Sequence, residues 1–199
     1  MLGAKYADLA LSEFLEAAKD EPWWQNTVVL VIADHESKVY ANQSFPLQSF
    51  RIPALILGGA IAPRQDTRLS SQIDMAPTLL SLAGIGGSFP YPGQDLNRPD
   101  RKERALMALY NTFAFSDGKR VTVLNPGRAA VYFAGDGAEL EMTAYDPALI
   151  TTAAALENLG PYLYREKLTA MDCVRLDHPV TPPLLPAKSF VHNQAPQPK

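Results

Sequence analysis

Cysteine is almost absent: Cys173 is the only one in 199 residues. That excludes an intramolecular disulfide framework and any cysteine-rich zinc module, while a nearly cysteine-free chain stays compatible with an oxidising compartment. Long runs of one charge are missing too, and the net charge is only −3. The electrostatic footprint of a nucleic-acid binder is therefore lacking, as is a polybasic membrane patch. The longest apolar stretches, 28–33 and 54–62, fall far short of the ~20 residues that a spanning helix needs. Nor does a charged leader, apolar core or cleavage site precede the amphipathic segment after Met1, so the expectation is a soluble chain. What is present is ordinary globular material, 47% apolar and 20% charged. It is enough for one substantial core, or one core plus a small satellite layer.

Residues 4–19 read as a helix. Ala7, Leu11, Phe14, Leu15 and Ala18 recur at three- and four-residue spacing, with Lys5, Asp8, Ser12, Glu16 and Lys19 opposite. Pro22 ends it, and Trp23-Trp24 are expected to pack its end onto a sheet. Residues 27–33 (TVVLVIA) are rich in β-branched residues and apolar on both faces, the pattern of a strand covered on both sides, as in a mainly parallel sheet flanked by helices. A polar, aromatic-dotted loop follows over 37–51, then a second strand at 52–57 closed by Gly58-Gly59. Residues 74–83 (DMAPTLLSLA) read as a helix with Asp74 as its cap and Gly84 near its end. Beyond Pro90 the texture changes. Short strand-like runs at 106–110, 120–124, 130–134 and 139–143, with Asp117-Gly118 and Asp136-Gly137 between them, predict a small antiparallel sheet. Residues 147–171 are mostly helical in pattern, and six of the 17 prolines fall in 177–199, predicting an extended tail.

Asp34-His35, at the C-terminal end of the first strand, is the main chemical signal. Carboxylate and imidazole suit Zn²⁺ or Mn²⁺, and α/β folds place their sites outside such strand ends. Neighbours on an extended strand point to opposite faces, so one shared site requires the chain to turn there, or two metals. The plain alternative is a solvated pair opening a loop.

The stretch KYADLALSEFLEAAKDEPWWQNTVVLVIADHESKVY resembles the C-terminal half of the sulfatase / alkaline-phosphatase superfamily, in its lipoteichoic-acid-synthase-like phosphoglycerol transferase branch. SFRIPALILGGAIAP resembles the family's next strand and turn, and SSQIDMAPTLLSLAGI its Asp-containing helix, followed by a segment ending in GQDL. The order and spacing of three blocks make this more specific than a lone Asp-His. The resemblance implies an α/β fold, an alkaline-phosphatase-like α/β/α sandwich (C-terminal portion) with a small antiparallel β-sheet subdomain. Together with the residue patterns it divides the chain into 1–104 (the C-terminal part of the α/β domain), 105–176 (small sheet plus C-terminal helix) and 177–199 (the proline-rich tail). It implies a divalent metal, Mn or Zn ahead of Ca or Mg, with Asp34 and His35 as ligands and an anionic phosphoglycerol or sulfate ester as substrate. A full-length parent would act at the extracytoplasmic, periplasmic face of the inner membrane.

The departures are as informative. The family's nucleophile segment and N-terminal carboxylate ligand have no counterpart here, so the expected partner is a missing N-terminal catalytic half, and turnover by this chain alone is not expected. Cys173 lacks the proline two residues on that the modified-cysteine motif requires, and reads as a packing thiol. Glu36 and Ser37, next to the metal pair, are candidates for shaping its pocket or orienting a ligand by a hydrogen bond, against the alternative of solvent-facing loop residues. Arg51 is a candidate for binding the anionic ester, weighed against a structural salt bridge at the strand start. Tyr6 and Asp8 read as packing and surface residues, and His178 and His192 lie in the tail. Two hypotheses follow: an enzyme fragment of transferase or hydrolase type, and a non-catalytic binding or interaction module that retains the fold. Self-association through an exposed sheet edge is the attendant hazard.

Overall fold

A computed structural model describes residues 2–36, 45–90, 92–134, 141–143, 145–170 and 172–175. Helix α1 (Leu2–Lys19) carries the expected stripe, but it docks only by its C-terminal end. Leu11 and Leu15 are half-buried and Ala18 is buried, whereas Phe14 and Leu9 lie exposed and Tyr6, expected to pack, is 75% exposed. Trp24, in a 3-10 turn (Trp24–Asn26), is buried, and its carbonyl accepts the Gly59 amide; Trp23 meets its indole edge-on, 6.1 Å between centroids.

Strands β1 (Val29–Ile32) and β2 (Ala54–Leu57) pair antiparallel, Val29 opposite Leu57 and Ile32 opposite Ala54. This corrects the parallel, doubly covered arrangement predicted from TVVLVIA. Parallel pairing needs a crossover element; here the described part of the connection holds only a 3-10 turn, Leu47–Phe50. Coverage is partial too, with β1 half-buried and Ala54 and Leu55 of β2 exposed. β-branched composition reports the wish for burial, not the direction of a partner.

Helix α2 (Met75–Leu82) follows a 3-10 turn (Gln72–Asp74), and a capping box spans Ser71 and Asp74. Ser71 caps that turn with Asp74 as its reciprocal partner, while Asp74 holds the N-cap position of α2 expected from sequence without a side-chain bond to that helix. Strand β3 (Ile85–Ser88) pairs antiparallel with β9 (Asp172–Arg175), where Cys173 stands opposite Gly87. Between them, β4 (Ala105–Leu109), β5 (Thr112–Ser116), β6 (Arg120–Leu124), β7 (Val131–Ala134) and β8 (Glu141–Met142) form an antiparallel meander. Its existence was predicted, and the Asp117-Gly118 turn joins β5 to β6. β5 itself was not anticipated, because Tyr110-Asn111 carries no turn glycine; Tyr110 supplies the positive φ of 53° instead.

The sheet is covered on both faces. Alternation sends Ala114, Val121 and Val123 to one side, against Phe45 and Met107, and Phe115 to the other, against Leu149 and Ala153 of α3 (Pro147–Arg165). Asp146 caps α3 by accepting the Ala148 and Leu149 amides, and Arg120 joins it to Asp117. Thr122 is fully buried among these residues, and its hydroxyl has no hydrogen-bond partner. Thr122→Val removes that hydroxyl at nearly constant shape, so it is expected to stabilise the protein by about 1 kcal/mol. The urea midpoint should rise with an unchanged slope; a fall would mean the hydroxyl does make a bond.

Candidate metal and anion site

Ala33 directly follows β1, and its place is fixed from two sides. Its amide donates to the Pro53 carbonyl (3.3 Å), and its carbonyl accepts the Gln72 side-chain amide (3.2 Å). The chain then bends at Asp34 and His35. The bend removes the alternation that would separate the two side chains, and brings Asp34 Oδ2 within 3.4 Å of His35 Nε2. Both side chains are open to solvent, Asp34 86% and His35 73% exposed. The His35 amide donates to Asp34 Oδ1 (2.8 Å), which orients the carboxylate. His35 Nδ1 lies 2.8 Å from the Glu36 carbonyl. A carbonyl only accepts, so Nδ1 donates in that bond, and the tautomer protonated there presents the Nε2 lone pair to a metal.

Donors about 2.1 Å from an ion and at a tetrahedral angle stand roughly 3.4 Å apart. The pair therefore fits one edge of a coordination shell. Among the described residues, no group of three or more His, Cys, Asp or Glu side chains converges to complete one. Glu36 enters through its main chain, by steadying the His35 ring. Ser37, His178 and His192 lie outside the described residues.

The pair opens onto a cavity of about 890 Å³, whose wall also includes Glu36, Arg51, Arg68 and Glu103. Arg51 directly follows the 3-10 turn over Leu47–Phe50 and faces the same space as Asp34 and His35. Arg68 and Glu103 were not singled out by sequence, since neither spacing nor pattern marks them. Arg68 grips Asp66 through Nε (3.0 Å) and Nη2 (2.7 Å), while Arg101 approaches the same carboxylate at 3.2 Å. Burial would raise the Asp66 carboxyl. The Arg68 hydrogen bonds and the Arg101 charge outweigh it and bring the pKa down to about 2. Deeper in, Asp74 (1% exposed) accepts the Ser71 amide (2.8 Å), the Gln94 amide (2.7 Å) and Arg104 Nη2 (2.9 Å). Asp74 thus braces α2 against the loop leading to β4, and Ser71 Oγ accepts the Leu106 amide.

Residues 3–85 match the family model described as Sulfatase. Among curated relatives, an endo-4-O-sulfatase of Bacteroides thetaiotaomicron is 35% identical over 97 residues, 45% of this chain and 19% of that protein. A choline-sulfatase of Rhizobium meliloti is 27% identical over 186 residues, 87% of this chain and 35% of that protein. Among solved structures, an alkaline phosphatase superfamily protein from Vibrio parahaemolyticus superposes with a TM-score of 0.77 at 35% identity, covering 83% of this chain and 42% of that one. The fold is therefore α/β, of the alkaline-phosphatase type. The chain spans well under half the length of these proteins. No described helix is long and apolar enough to cross a membrane.

Proposed function

We propose that this chain is the metal-binding part of a sulfatase-family hydrolase acting on sulfate esters, with Asp34 and His35 holding half of a divalent-cation site. What supports this reading is the convergence of a carboxylate oxygen and an imidazole nitrogen at the end of β1, inside the segment that matches the family model. An imidazole donor favours Mn or Zn over Ca or Mg. When bound, such an ion supplies charge neutralisation at the ester and activation of the attacking group.

The chain's own residues do the rest of the local work. The Glu36 carbonyl fixes the His35 ring, and the His35 amide fixes the Asp34 carboxylate. Arg51 lines the same cavity, and its guanidinium is the candidate cation for ester oxygens. The nucleophile and remaining ligands come from a further catalytic portion, and Leu9 and Phe14 of α1 and Leu55 of β2 are exposed apolar side chains available to it. Without that portion, these exposed apolar side chains are expected to favour self-association.

Metal analysis together with turnover of a chromogenic sulfate ester and a chromogenic phosphodiester tests the reading. About one divalent ion per chain is expected when Mn²⁺ or Zn²⁺ is supplied, with turnover at background for the chain alone. Sulfate ester hydrolysis is expected once a preceding catalytic portion is supplied. Faster phosphodiester than sulfate ester turnover would instead favour the phosphoglycerol transferase branch. Failure to bind any divalent ion would leave only the non-catalytic module.

A further inference from the structure

The bonds of Asp34 and His35 described above stay within the bend itself, from one to the other and on to Glu36. They shape the pair but do not tie it to the rest of the fold. That tie is made one residue earlier. A peptide unit is planar, so the Ala33 carbonyl, the Asp34 nitrogen and the Asp34 Cα turn together as one rigid plane. Gln72 Nε2 donates to this carbonyl at 3.2 Å and so sets the direction in which the chain enters the bend. The Pro53 carbonyl, accepting the Ala33 amide at 3.3 Å, pins the plane before it. With both planes held, the soft torsions left before His35 are those of Asp34 itself.

Gln72 has a firm base for this. It opens the 3-10 turn Gln72–Asp74, whose capping box joins Ser71 to Asp74. Ser71 is buried and its Oγ accepts the Leu106 amide, and Asp74 is buried and held by the Gln94 amide and Arg104. The turn is thus tied into the interior, while the Gln72 side chain reaches a strand end 39 residues away in sequence. A side-chain amide suits the task, because it donates to a carbonyl without bringing a charge beside a cation. The bond is exposed, so it adds little to folding stability. Its effect on the bend can therefore be separated from any effect on folding.

We infer that Gln72 is a positioning residue for the divalent-cation site: by holding the Ala33 carbonyl it fixes the peptide plane from which Asp34 and His35 reach the ion. This rests on the reading of Asp34 and His35 as metal ligands.

Two substitutions in the full chain test it. Gln72→Met keeps the length of the side chain and removes the donor. Gln72→Glu keeps its shape but offers only acceptors at neutral pH. Both lie at an exposed position, so the Tm of the metal-free chain should move by no more than about 2 °C. In titration calorimetry with Mn²⁺ or Zn²⁺, Gln72→Met is expected to raise the Kd about tenfold, the lower end for groups that orient a ligand. Gln72→Glu adds a charge near the ion, so its readout is spectroscopic. In the metal-free chain the Asp34 amide ¹⁵N resonance should shift in both variants, because that nitrogen shares its peptide with the Ala33 carbonyl. Resonances of β4 to β7 should stay in place. A Kd for Gln72→Met within about twofold of the original overturns the inference and leaves the metal reading standing. So does an unmoved Asp34 resonance, or shifts spread through α2 and the meander, which would mark a general structural role. If the unmodified chain binds neither ion, the metal reading falls first and the inference falls with it.

Discussion

Replacing Arg104 by leucine is expected to destabilise the protein by about 3 kcal/mol, the largest single effect outside the hydrophobic core. The reason lies in where its partner sits. Asp74 is 1% exposed and the Arg104 side chain 12%, so the ion pair is sealed from water. Removing the cation leaves a carboxylate that can neither hydrate nor find another counter-ion, which is costlier than never having had the pair. The amides of Ser71 and Gln94 remain bonded to Asp74, and this keeps the loss at the lower end of the usual range for a broken buried pair. At this chain length, 3 kcal/mol corresponds to a fall in Tm of roughly 6–12 °C. Arg104→Lys should recover part of it, because an ammonium restores the charge without the two-pronged geometry. A loss below about 1 kcal/mol for Arg104→Leu would mean that the Asp74 charge is compensated elsewhere.

The second large effect falls on metal affinity. Asp34→Ala and His35→Ala are each expected to raise the Kd for Mn²⁺ or Zn²⁺ at least about 100-fold, since each deletes one of two adjacent donors. Glu36→Ala is expected to change it by less than about threefold, because the bond steadying His35 uses the Glu36 main-chain carbonyl, which alanine retains. Both ligand side chains are solvent-exposed, so thermal stability without metal should hardly move. Titration calorimetry on the three variants separates these outcomes. Similar losses for all three would place the ion on the Glu36 carboxylate as well, and a null result for Asp34→Ala would remove the carboxylate from the shell.

Much of this protein was legible before any coordinate. The spacing of Leu11, Leu15 and Ala18 marks the docking stripe of α1, the run TVVLVIA marks β1, and Asp117-Gly118 marks a hairpin. These signals are local, set by residues within one or two turns of each other, and a sequence carries them directly. The Asp34-His35 pair was readable as a chemical opportunity for the same reason. Other features depend on residues far apart in the chain. Whether β1 pairs parallel or antiparallel is decided by how residues 33–53 return, not by β1 itself. The Asp74–Arg104 pair joins positions 30 apart, and Gln72 reaches Ala33 across 39, with nothing in either neighbourhood to announce it. β5 went unread because Tyr110 takes a backbone conformation usually left to glycine. The composition of the strands and helices determined that they would form. Only tertiary structure decided which side chains share a cavity, because that depends on the directions in which distant segments return, and local periodicity carries no information about direction.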